Sequence, residues 1–133
     1  MTITAIAFER APMGSSSVIL DDFKMSLGYA GGDELGTDFG ANLAAGTSLS
    51  PVFSGATVSA ADNGNGRVVF QLDTPFEYTG GNLLIDFSFA DISGSMYVWS
   101  WDAGGSAILT ANGTAASTGS AYSFPPVIVI KGE

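Results

Sequence analysis

Along most of this chain apolar side chains recur at every second residue, and that period of two constrains the fold more than any other feature. "GRVVFQLD" places Val68, Phe70 and Leu72 on one face and Val69, Gln71 and Asp73 on the other. "NLLIDFSFAD" sets Leu83, Ile85, Phe87 and Phe89 inward, with Asp86 and Ser88 outward. Phe23, Met25, Leu27 and Tyr29 share a face opposite Asp22, Lys24 and Ser26, and Ile6 and Phe8 share one near the start. Only extended strands hold such patterns, since successive strand side chains point to opposite sides.

Turn residues fall between these runs. Asp62-Asn63-Gly64-Asn65-Gly66 predicts a hairpin turn, because Asn and Gly accept positive φ at low steric cost. Gly80-Gly81-Asn82, Gly104-Gly105 and Asn112-Gly113 predict further turns, Asn82 bonding its own backbone. Asn112-Gly113-Thr114 also has the form of a glycosylation sequon, but a turn is a sufficient reading. Eight or nine strands at this spacing predict an all-β, antiparallel, jelly-roll-like sandwich. Its 133 residues are enough for one domain with one core, 1–133. Residues 31–50 lack the period of two and predict a long loop crossing between the sheets, with at most one short helical turn near 33–45. "VIVIK" at 127–131 is a continuous apolar run, predicting a strand covered on both faces.

Composition removes whole classes of function. There is no cysteine and no histidine, which excludes thiol chemistry, disulfides, the usual zinc and haem sites and histidine-based triads. The net charge of −9, with only Arg10, Lys24, Arg67 and Lys131 basic, repels phosphate backbones and anionic membranes, so no nucleic-acid partner is expected. No apolar run is long enough for a transmembrane helix, and no membrane insertion is expected. "MTITAIAFER" alternates like a strand and does not read as a signal peptide. Either a cytoplasmic protein or a mature or excised domain behind a start Met fits; the uncharged polar composition favours the second.

Two places could carry chemistry. Asp33, Glu34 and Asp38 in "DELGTD" are the best candidates for an oxygen-ligand cation such as calcium, against a plain solvated acidic loop. In "SMYVWSWDAGG", Tyr97, Trp99 and Trp101 share one face, and Met96, Val98 and Ser100 the other. That second face is only weakly apolar, so the aromatics are expected to face the core; a sugar-stacking platform and a subunit interface are the alternatives. Asp73, Glu77, Asp86, Asp91 and Asp102 could in principle form a glycosidase pair, but nothing in the sequence pairs them and no enzymatic activity is expected.

"TPFEYTGGNLLIDFSF" at 74–89 resembles a PFxYxGGNLLI pattern of exported bacterial surface proteins of the PEP-CTERM type. "ITAIAFER" resembles their ITxIAFR strand, and "LGTDFGANLAAGTSLSPVFSG" their LSxxFAxNxGxDxxxVxxG segment, in the expected order. "YVWSWD" has no counterpart in that pattern. The resemblance implies a β-sandwich and an extracellular or cell-surface setting, and names no activity. The expectation is a non-catalytic structural module that self-associates into an oligomer, filament or matrix. The alternative is a carbohydrate-binding module for polysaccharide through Tyr97, Trp99 and Trp101.

Overall fold

The alternating runs form strands β1 (Thr2–Gly14), β2 (Ser17–Tyr29), β3 (Ser50–Ala61), β4 (Arg67–Glu77) and β5 (Leu83–Ser88). Five shorter ones follow: β6 (Asp91–Ser93), β7 (Met96–Val98), β8 (Ile108–Thr110), β9 (Ser120–Tyr122) and β10 (Ile128–Gly132). The structure is a computed structural model and describes residues 1–113 and 115–133; Thr114, the last residue of the sequon-like triplet, lies outside the described residues. Among the described residues there are ten strands, against the eight or nine expected, because the region from 91 to 122 holds four strands of three residues each.

The strands build two four-stranded antiparallel sheets. One has the order β10-β1-β4, with β7 also on β1; the other has the order β3-β2-β5, with β6 also on β2. A separate ribbon pairs β8 with β9. Consecutive strands β1 and β2, and β3 and β4, lie in different sheets, so the chain changes layer at each of these corners. This is the expected all-β antiparallel sandwich. The "DNGNG" turn makes one corner: Asp62 Oδ1 accepts from the N–H groups of Gly64 and Gly66, and Asn63 Oδ1 from those of Asn65 and Arg67. On the same side Ser54 N–H in β3 donates to Asp73 Oδ2 in β4, tying the two sheet edges together.

The core lies between the sheets. Ile3, Ile6, Met25, Leu27 and Val52 are at most 2 % exposed, and each contributes about 1.5–3 kcal/mol by leaving water. Val68, Phe70 and Leu72 are inward as their alternation requires, with Val69 on the outer side. Phe23 of one sheet stacks on Phe70 of the other, centroids 5.1 Å apart and planes 9° apart, and Phe8 meets Phe70 edge-on.

Strand β2 holds a change of phase. Val18 and Leu20 are buried, and so are Phe23, Met25 and Leu27, although Leu20 and Phe23 lie three residues apart. Asp22, at φ +50°, takes up the extra residue. Aspartate tolerates this left-handed region better than most side chains. The edge beside it breaks at the same level: β5 ends at Ser88, opposite Lys24, and β6 begins at Asp91, opposite Asp21.

Three expectations are corrected. The 31–49 segment does not cross between sheets: β2 and β3 are neighbours in one sheet, and the loop leaves and returns to it. Its one helical element is a 3-10 turn at Gly40–Asn42. "VIVIK" is not covered on both faces in mid-sheet: β10 is an edge strand, and Ile130 is 40 % exposed. Asn82 does not bond its own backbone; its Nδ2 donates to Gly32 O and Asp33 Oδ1, holding the acidic loop against the corner.

The rest of the 74–89 corner behaves as read. The register slips from Ala5↔Gln71 to Ile3↔Phe76, and Pro75 sits in the resulting bulge, where no ladder N–H is required of it. Gly80 and Gly81 turn the chain at φ +114° and +92°. The Tyr29 hydroxyl donates to Glu77 O and accepts from Thr79 N–H, closing this end of the core. Among the described residues, no helix is long and apolar enough to cross a membrane.

Candidate functional site

The segment 96–101 is held in extended form by hydrogen bonds on two sides. Trp99 N–H donates to Glu9 O at 2.9 Å, and Trp99 O accepts from Val127 N–H at 2.8 Å. Trp101 N–H donates to Pro125 O, and Ser100 bridges antiparallel to Pro126. The side chains therefore alternate, as the sequence requires. The direction is the reverse of the expectation: Met96, Val98 and Ser100 face inward onto a cavity, and the aromatics face out. Tyr97, Trp99 and Trp101 are 52 %, 55 % and 54 % exposed. The physical reason is that the space under this strand is already bounded by the phenylalanines of β1, β2, β4 and β5, where Val98 and Ser100 fit against the wall.

The outer strip is fixed in place from below. With a strand rise of ~3.3 Å per residue, alternate side chains stand ~6.6 Å apart, so three rings form a row. The Tyr97 ring lies against Gly14: a β-carbon there would come within 3.0 Å of Tyr97 Cδ2, and Gly14 has φ +69°. Beside Trp99, whose amide bonds Glu9, the Glu9 carboxylate is paired to Arg67 Nε at 2.9 Å, giving the strip a polar margin. Among the described residues, no ring–ring contact involves Tyr97, Trp99 or Trp101.

Beneath the strip lies an apolar cavity of about 320 Å³ between the sheets. Phe8, Phe23, Phe70, Val18 and Leu20 form its floor. Phe87 of β5, Phe89 just beyond it, Met96 and Val98 of β7, and Phe124 form the far wall. The wall side chains are well exposed (Phe87 42 %, Phe89 36 %, Val98 39 %, Phe124 57 %), so the cavity is open to solvent. The alternation predicts Phe87 and Phe89 in the core; both face the cavity, Phe87 from β5 and Phe89 from just past its end, and stand at this opening. A second cavity of about 250 Å³ lies by Ile3, Leu83 and the exposed Ile130.

The acidic loop is not gathered into a site. Asp33 accepts from Asn82, and Asp38 Oδ1 accepts from Ala41 N–H in the 3-10 turn. The Glu34 carboxylate packs on Gly105. Among the described residues, no group of three carboxylates is close enough to hold a metal ion. The carboxylates considered for glycoside chemistry are also occupied locally. Asp73 bonds Ser54 N–H, Asp91 bonds Ile92 N–H, Asp102 bonds Gly104 N–H, and Glu77 pairs with Thr2. Burial raises the Asp86 carboxyl above its ordinary value. Conversely, the Gly64 N–H holds the Asp62 carboxyl below its ordinary value, helped by Gly66 N–H and by Arg10 Nη1 at 3.2 Å, and opposed by desolvation. Among the described residues, no carboxylate lines the larger cavity.

Sequence reasoning missed that cavity. Its signal was present only in part: Val98 and Ser100 are too small to fill the space that Phe87, Phe89 and Phe124 surround. No family model, curated protein or solved structure matches this chain.

Proposed function

We propose that this domain is a non-catalytic module that binds neutral polysaccharide, with Tyr97, Trp99 and Trp101 as its stacking platform. The observation that carries this reading is the exposure of all three rings, each above half, along one extended segment whose Trp99 and Trp101 backbones are hydrogen-bonded to neighbouring chain. Large aromatics left in water are an unmet apolar contact, and a row of them suits flat rings with one apolar face. The Glu9–Arg67 pair offers acceptor and donor to hydroxyl groups at the margin. The net charge of −9 selects against polyanionic glycans, which leaves neutral ones. The setting that goes with this is the extracellular or cell-surface one implied by the motif resemblance.

A glycan array read with the wild-type chain, Trp99→Ala and Trp101→Ala tests the reading. Each truncation should weaken binding about fivefold or more, taking the ~1–3 kcal/mol of a nucleobase stacked on an aromatic as the scale for a flat ring. Wild-type chain that retains no neutral glycan, or variants that bind as well as it does, would defeat it.

A second reading, self-association into an oligomer or filament, is favoured by one observation. Among the described residues β10 pairs only with β1, so its other edge is open, and Ile130 beside it is exposed. Light scattering at rising concentration, with and without calcium, tests it; a strict monomer throughout refutes it.

A further inference from the structure

We propose that the cavity between the sheets is a binding site for one small uncharged apolar molecule, an alkyl chain or an aromatic ring system. The site is distinct from the outer strip, though one strand serves both: Met96, Val98 and Ser100 face the cavity, while Tyr97, Trp99 and Trp101 face away.

The chemistry of the walls selects the ligand. Among the described residues, Ser100 is the only lining residue with a polar side chain, and no charged side chain lines the space. Nor does the backbone of the cavity strand supply polar groups at its centre. The Trp99 N–H and C=O are consumed by Glu9 and Val127, and Ser100 is bridged to Pro126. A bound water needs two to four polar partners, so water is held poorly here. A charged or strongly hydrogen-bonding ligand would lose its hydration without replacement. An apolar one exchanges ill-satisfied water for contact with phenylalanine rings.

The dimensions set the size. About 320 Å³ lies at the lower end of the range of small-molecule sites. At ~30 Å³ per water-sized group, it takes roughly ten heavy atoms. That is too little for a strand or helix of a partner, and enough for a naphthalene-sized ring or a medium alkyl chain. The opening is rimmed by Phe87, Phe89, Val98 and Phe124, all 36–57 % exposed, so a ligand can enter without unfolding either sheet and covers these side chains when bound. Small lining side chains leave the space unfilled: Ala60 from β3, Val98 from β7 and Ser100 just beyond it.

The test uses 1-aminonaphthalene, neutral at pH 7, whose emission rises and shifts to the blue in an apolar site. Titration of the full chain should saturate at one probe per chain with a dissociation constant of about 100 µM or tighter. Excess 1-octanol should displace the probe. Val98 of β7 and Ile108 of β8 both line the space, so Val98→Phe and Ile108→Phe should each fill it and weaken the probe at least tenfold, with circular dichroism confirming the fold. Trp99→Ala should leave it within twofold while weakening glycan binding, which separates this proposal from the platform. Emission that does not saturate, or that 1-octanol does not reverse, overturns the proposal. So does loss on Trp99→Ala with retention on the filled variants. Probe affinity that falls in step with dimer formation would show that a second copy occupies the cavity, and would overturn it too.

Discussion

Around Ile6, Met25 and Leu27 the two sheets close to 1 % exposure or less, whereas around Phe87, Val98 and Phe124 the same two sheets leave about 320 Å³ open and side chains 39–57 % exposed. Both regions are built from large apolar residues. The difference is in what covers them. In the packed half, β1 and β2 are flanked by ladders of five or more residues from β10, β4, β3 and β5. In the hollow half the cover on one side is β7, three residues long, with Ser100, Ile108, Phe124 and Pro126. Apolar composition brings side chains together. Continuous ladders fix two surfaces closely enough to exclude water.

Truncation should expose that contrast most strongly. Leu27→Ala removes a side chain at 0 % exposure and should cost about 3 kcal/mol, lowering the melting temperature by roughly 10 °C. Val98→Ala, at 39 % exposure on an existing cavity, should cost under about 1 kcal/mol. Urea unfolding of both variants measures the gap; equal costs would mean that the hollow half is closed in solution.

The bend between the halves gives the next effect. Asp22→Val places a β-branched side chain at φ +50° and should cost about 1–2 kcal/mol, whereas Asp22→Gly should be neutral or slightly stabilising. If valine is tolerated at this position, the change of phase in β2 is not held there.

The smallest effects are in pH dependence, and they have opposite signs. Asp62, at the corner beside Arg10, has a lowered pKa. Its charged form adds stability that is present above the unfolded value of ~3.9 and is lost as pH falls through the folded value. The advantage of wild type over Asp62→Asn in thermal melts should therefore be visible at pH 7 and shrink below about pH 4. Asp86 has a raised pKa through burial. Its charge costs stability once pH rises above the unfolded value, so Asp86→Asn should melt slightly higher at pH 7 and match wild type in acid. Two shifts of the same sign would remove this distinction between the corner and the β5 edge.

Several of these features could be read directly from residues. The alternation of Val68, Phe70 and Leu72 predicts their burial, and the turn residues at 62–66 and 80–81 predict the corners that the backbone makes. The alternation of Tyr97, Trp99 and Trp101 was equally legible, but which side they face was not. A period of two states that two faces exist; it does not say which one meets the core. The decision came from residues far along the chain, Phe8, Phe23, Phe70 and Phe87, which already bound the space below. The acidic loop shows the same limit: Asp33, Glu34 and Asp38 are neighbours in sequence, yet Asp33 bonds Asn82, Asp38 bonds Ala41 N–H and Glu34 packs on Gly105.

The sequence by itself determined the class of the molecule, because local steric rules and side-chain alternation act within a few residues. Only the tertiary structure decided which aromatics are left in water, that β10 lies at an edge, and that a cavity remains under β7. Those outcomes depend on the volumes of side chains brought together from distant strands, and no window along the chain contains that sum.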